Sequence, residues 1–340
     1  MKKKLIAATA LALSTVTLAA CGATNEKLTL SPNWEIGIIS EATTATAEEL
    51  TYSVTFKESS FLQKDYYTVE YCGKENAAPG VYTTKLEYLS DNTYRYTTSL
   101  TMQVTFTLAD GQTETKTDSV QTTAIFKKAD KSLQPISSKK TVLCYSPNNV
   151  AATALDKAYT EYHYEFSIEY ADDLSGGTLT KTDLSEARTL LEKENYPDGK
   201  DYKSFSIDNK KYTYLDNEQL LCALRAIPNS SIASSKTVNV YNASLMTVET
   251  VTTTPSTAAK TKFNFALNGE ASSEHEIEYT PLTIKTGNKD SLLSHTLWYA
   301  KTTDANNNKY RNVLLKMSVP LHFGMGTLTY ELTAATFSAE

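Results

Sequence analysis

The chain has 340 residues, with 33 Lys plus Arg against 39 Asp plus Glu and a formal net charge of −6. That is ample length for a buried core, and a mildly acidic balance with no basic stripe argues against a nucleic-acid partner, since phosphate binding needs clustered positive charge. Abundant threonine, 22 Tyr and only 12 Gly favour half-buried pleated strands over helices or disorder.

Lys2, Lys3 and Lys4 precede an apolar run from Leu5 to Leu18, the length of a secretory signal and short for a membrane span. The run closes on Leu18-Ala19-Ala20-Cys21-Gly22, which resembles the lipobox of bacterial lipoproteins. Residues 1–20 therefore read as a lipoprotein signal peptide, and Cys21 as the diacylglycerol-bearing first residue of an exported, membrane-anchored protein. The competing reading is ordinary cleavage beside an incidental cysteine. Two acyl chains supply the double anchor that stable attachment needs. The other cysteines, Cys72, Cys144 and Cys222, match no metal knuckle and no redox pair. They read as buried small side chains, with a Cys72–Cys144 disulfide as the alternative.

Residues 21–50 are Thr/Ala/Glu-rich and aperiodic, which predicts a tether interrupted by Trp34, Ile36, Ile38 and Ile39 as docking points. Residues 51–340 form one domain. Its clearest signal runs from Tyr94 to Leu108, where Tyr94, Tyr96, Leu100, Met102, Val104, Phe106 and Leu108 share even positions with Thr98 while the odd positions are polar. Asp110-Gly111 predicts a hairpin into a partner strand over 112–127. Alternation recurs at Tyr82 to Tyr88, at Tyr162, Tyr164, Phe166, Ile168 and Tyr170, and at Phe263 to Leu267. Further strands are expected over 65–72, 133–145, 237–243, 245–254, 276–286, 291–301, 311–319 and 326–337. About a dozen strands joined by short turns predict an antiparallel meander without βαβ units. Asp216 to Ile227 reads as a capped apolar helix carrying Leu220 and Leu224 and stopping at Pro228. Residues 183–191 read as a second helix or as a continued strand.

The segment Tyr212 to Pro228 with the strands after it, and the closing stretches Leu297-Trp298-Tyr299-Ala300-Lys301, Val313 to Val319 and Gly326 to Leu332, resemble an uncharacterised family of exported bacterial proteins. In that family an aspartate opens a short apolar helix that ends in an arginine. The resemblance implies a fold similar to periplasmic lipoprotein carriers: mainly β, a strongly curved antiparallel sheet forming an unclosed barrel, with one or two short helices over the concave face. It implies no activity, because the family has none established.

Catalytic signatures are missing: there is no nucleophile elbow, zinc helix, phosphate loop or dinucleotide fingerprint. His163, His275, His295 and His322 stand at no ligand spacing, His163 reading as surface between Glu161 and Glu165. Alternation places Glu274, Glu276 and Glu278 opposite His275. Asp304 to Asn308 begins like a calcium loop but lacks its glycine and final acid. Arg225 reads as a buried structural arginine that pairs with an acid such as Asp216 or Glu218 or caps core carbonyls, with an anion site as the alternative. No enzyme, metal or cofactor is expected. The leading expectation is a lipid-anchored module whose concave face holds a hydrophobic or amphipathic ligand, lined by Tyr94, Tyr96, Leu100, Met102, Val104, Phe106, Tyr162, Tyr164, Phe166, Leu220 and Leu224. The alternative is a structural or interaction protein with a solid core whose outer face contacts wall polymer or another envelope protein. An apolar hollow of a few hundred Å³ decides between them.

Overall fold

The computed structural model describes residues 30, 34, 47–58, 67–72, 79–130, 132–148, 154–185, 198–208, 213–227, 235–286, 294–301, 310, 312–321 and 326–337. Cys21, the 304–308 loop and most of the 183–191 segment lie outside them. Where that segment is described, it continues a strand to Asp183 and turns through Ser185, whose amide donates to Asp183 Oδ1 at 2.9 Å.

The first half of the domain is a ribbon: β1 (Ala47–Glu58), β2 (Tyr67–Tyr71), β3 (Gly80–Ser90), β4 (Thr93–Leu108), β5 (Thr113–Lys128), β6 (Leu133–Pro147), β7 (Tyr159–Tyr170), β8 (Gly176–Asp183) and β9 (Lys200–Ser206). The 16-residue β4 behaves as its alternation predicts, with Tyr94, Tyr96, Leu100, Met102, Val104, Phe106 and Leu108 buried between more exposed Thr, Ser and Gln. It is long enough to carry two neighbours on one edge, β3 along Thr93–Thr101 and β2 along Val104–Leu108. The turn into β5 is made by Asp110, whose Oδ1 accepts the Gln112 amide at 3.0 Å, and by Gly111 at φ +88°, a backbone region glycine enters at little steric cost.

Next come the three-residue β10 (Tyr214–Asp216), a 3₁₀ turn (Asn217–Gln219) and the helix α1 (Leu220–Leu224). The closing strands are β11 (Lys236–Asn242), β12 (Thr247–Pro255), β13 (Ala259–Leu267), β14 (Ser273–Thr286), β15 (Ser294–Ala300), β16 (Leu314–Pro320) and β17 (Gly326–Phe337). β14 also spans two neighbours, β12 along Leu282–Thr286 and β13 along Ser273–Tyr279.

Here the expectation of an unclosed barrel fails. β13 pairs in parallel with β17 through Ala266↔Ala334 and Leu267↔Ala335, so β13 to β17 close into a five-strand barrel within the larger sheet. Asn268 seals the seam: its amide donates to the Ala335 carbonyl and its Oδ1 accepts the Phe337 amide, both at 2.8 Å. A second parallel pairing joins β10 to β11, so the purely antiparallel meander is also corrected. Neither contact leaves a trace in side-chain periodicity, which reports faces and not partners. β1 was not expected either. It begins at Ala47, inside the stretch read as a tether, and pairs with both β17 and β3.

Candidate functional site

Every described residue expected to line a ligand site faces the inside of the fold, where it packs against other described side chains. Tyr94 stacks on Phe126 at 5.9 Å between ring centroids and meets Trp34 edge-on at 4.9 Å. Phe106 packs on Tyr159 at 4.9 Å, and Met102, Val104, Leu220 and Leu224 are buried. On β7, Tyr162 is half-buried, while Tyr164 and Phe166 lie under the Lys181 ammonium, 4.0 and 5.8 Å from their centroids. The space left where Tyr96 and Leu100 face Leu221 and Glu218 amounts to about 30 Å³, room for about two water molecules.

The helix that closes this space is built by polar bonds as much as by apolar contact. Asp216 caps its start, accepting the Glu218 amide at 2.7 Å, the Ser138 hydroxyl at 2.7 Å and the Tyr170 hydroxyl at 2.6 Å. Burial, and next the Glu218 charge, push the Asp216 carboxyl up to about 6. Lys140, also buried, donates to Glu218 at 3.3 Å. The carbonyls that a five-residue helix leaves open are taken by Tyr299 Oη on Leu221, Trp34 Nε1 on Cys222, and the amides of Ala226 and Ile227 on Ala223 and Leu224. Arg225 is buried as expected, but its partner is Glu48 of β1, gripped through two bonds of 2.6 and 3.1 Å. Neither Asp216 nor Glu218 plays that part.

Cys72, Cys144 and Cys222 are buried thiols outside any disulfide, so the Cys72–Cys144 bridge is absent. Burial pushes the Cys72 thiol up to about 11 and the Cys222 thiol up to about 12. His275 turns inward, 4.3 Å from the Phe265 ring and within 3.1 Å of the Phe265 carbonyl. Glu274, Glu276 and Glu278 face away from it and pair with Lys262, Lys260 and Lys301, all at 2.7 Å.

Two features went unread in the sequence. Asp118 sits at an inward position of β5 and is fully buried, Oδ1 accepting the Tyr145 amide at 2.9 Å while Oδ2 has no hydrogen-bond partner. Burial lifts its carboxyl to about 7. Its even-numbered parity, shared with Val120, Ala124 and Phe126, was the available signal. The second feature is on the outer face. From Lys85 on β3 the register carries one unbroken rung through Thr97, Thr123, Lys139, Ser167 and Thr180 to Tyr202 on β9. Beside it lies a groove of about 350 Å³ lined by Thr83, Lys85, Thr97, Ser99, Gln121 and Thr123.

Fold and site together define a mainly β domain around a closed five-strand barrel, with a packed interior and a hydroxyl-rich exterior. No protein-family profile and no curated protein matches the chain. Among solved structures it is similar to a β-barrel-like protein of domain of unknown function DUF1849 from Brucella abortus, at 9% sequence identity and a TM-score of 0.47, covering 86% of this chain and 98% of that one.

Proposed function

We propose that this chain is a non-enzymatic envelope lipoprotein whose outer β face holds a carbohydrate polymer of the cell wall. The observation that carries the reading is the rung from Lys85 to Tyr202, a continuous row of paired residues crossing seven strands with the hydroxyl-lined groove alongside. Strands stand about 4.7–4.9 Å apart, about the length of one sugar ring, so a linear glycan laid across them meets a hydroxyl or an ammonium at each step. Tyr202 closes the row with its ring 61% exposed, a stacking platform of the amphipathic kind sugars use. Carriage of a hydrophobic ligand is the less supported reading, because ligand sites occupy about 300–1,000 Å³ and the space beside Tyr96 and Leu100 is about 30 Å³.

The test is co-sedimentation of the full chain with insoluble wall polysaccharide. Tyr202→Ala and Thr123→Arg, both outside the core, are each expected to lower retention severalfold. Retention unchanged in both variants, or acyl lipid co-purifying at one equivalent, would overturn the assignment. Anchoring is tested separately: Cys21→Ser abolishes fatty-acid labelling if residues 1–20 are a lipoprotein signal.

A further inference from the structure

Where β2 ends, two sulfur atoms meet inside the fold, and a buried carboxylate stands across the strand pair from one of them. The Cys72 thiol donates to Met102 Sδ at 3.9 Å, and both residues are buried. Cys72 holds a φ of +59°, a region that residues other than glycine seldom occupy. Opposite it stands Gly80, where a Cβ would lie 2.9 Å from Met102 Cβ and 3.3 Å from Cys72 Sγ. The bare glycine is what lets the two sulfurs approach. Asp118 faces Met102 directly across the β4–β5 pair, and its Oδ2 is buried without a hydrogen-bond partner. Its charge also reaches Cys72, raising that thiol further.

A buried carboxylate with an open oxygen ordinarily has a cation beside it. Among the described residues no lysine, arginine or histidine forms an ion pair with Asp118. The neighbours are instead a thiol and a thioether, donors that favour copper(I) over hard cations. Calcium and magnesium need about six or more oxygens, and zinc takes thiolate, imidazole or carboxylate rather than a thioether, so this donor pair suits neither.

We propose that Cys72 Sγ and Met102 Sδ form a binding site for one soft monovalent cation of the copper(I) class, with the buried Asp118 carboxylate across the strand pair as a neighbouring negative charge. On binding, the Cys72 thiol loses its proton to solvent and the Sγ–metal bond forms. One positive charge replaces another, no electron moves, and the charge of the pocket is unchanged. The inference is independent of the glycan reading, since it uses the inner face alone.

The test is anaerobic titration of the full chain, carrying Cys21→Ser to remove the N-terminal thiol, with copper(I) in competition with a colorimetric copper(I) chelator. One equivalent is expected to bind. Cys72→Ser and Met102→Leu are each expected to weaken binding by at least about tenfold, and Asp118→Asn by less. Cys144→Ser and Cys222→Ser should bind as the parent does. Met102→Leu conserves volume, so its near-ultraviolet circular dichroism should match the parent and separate lost binding from lost fold. The proposal is overturned by absence of saturable binding, by full affinity in Met102→Leu, or by binding that follows Cys144 or Cys222.

Discussion

Asp118 and Arg225 show two ways a charge survives in this interior. Arg225 meets Glu48 through both ends of its guanidinium, the fork geometry that best offsets desolvation. Removing either partner would leave a lone buried charge, a loss of about 3–5 kcal/mol. Asp118 has no counter-charge among the described residues and shifts its proton equilibrium instead, to about 7 from an ordinary 3.8. The folded state therefore binds the proton more tightly than the unfolded chain. Stability from this group is fully present below about pH 4 and is lost as pH rises to about 7, on the order of 4 kcal/mol for a shift of about three units. Asp216, raised to about 6, acts in the same direction. In metal-free protein, urea midpoints at pH 4.5, 6 and 7.5, values chosen to bracket that window, are expected to fall with rising pH. Asp118→Asn should flatten most of that slope while leaving the part due to Asp216. An undiminished slope in the variant would mean that Asp118 does not carry the effect.

At the scale of elements, α1 is too short to stand alone, since isolated helices below about 12 residues are marginal in water. Its sequence nonetheless announced it, through Asp216 as cap, the Leu220 and Leu224 stripe and a proline after Ile227. What sequence could not announce is who completes it. Trp34, Tyr299 and Glu48 come from 188, 78 and 177 residues away along the chain. The same division runs through the sheet. β4 and β7 were legible because their faces alternate, whereas β9 and β10 have no clean apolar period and were missed. The inward set on β4 and β7 was also legible, but whether it encloses a hollow depends on what fills it, and here Trp34 and Phe126 do. Trp34 thus acts as a bolt between the N-terminal segment and the helix. Trp34→Phe keeps most of the bulk but gives up the bond to the Cys222 carbonyl, for an expected loss of about 1–2 kcal/mol, and Trp34→Ala of about 3–5 kcal/mol. Denaturant unfolding checks both. Equal losses would show that the ring's contacts contribute nothing beyond the hydrogen bond, and no loss in Trp34→Phe that the bond contributes nothing.

On the scale of the whole molecule, β17 is the strand on which closure depends. It pairs antiparallel with β1 along Glu48–Glu58 and with β16, and in parallel with β13. The last described strand therefore fixes both the first described strand and the barrel. Through β1 it also places Glu48 against Arg225, so the buried ion pair depends on contacts made nearly 300 residues apart. Such a topology must close long loops before most native contacts form, which makes folding slow and favours one cooperative unit over separable halves. A chain ending at Pro320 would expose an edge of β1 and of β16, open the barrel and leave Arg225 facing an unanchored Glu48. It is expected to lose its near-ultraviolet circular dichroism and its sigmoidal unfolding together, although β4 to β7 pair only among themselves and their immediate neighbours. The intact chain should unfold in one transition, coincident by near- and far-ultraviolet signals. A shortened chain that still unfolds cooperatively would show that the ribbon from β3 to β9 is stable by itself, and that the barrel is attached to it rather than required by it.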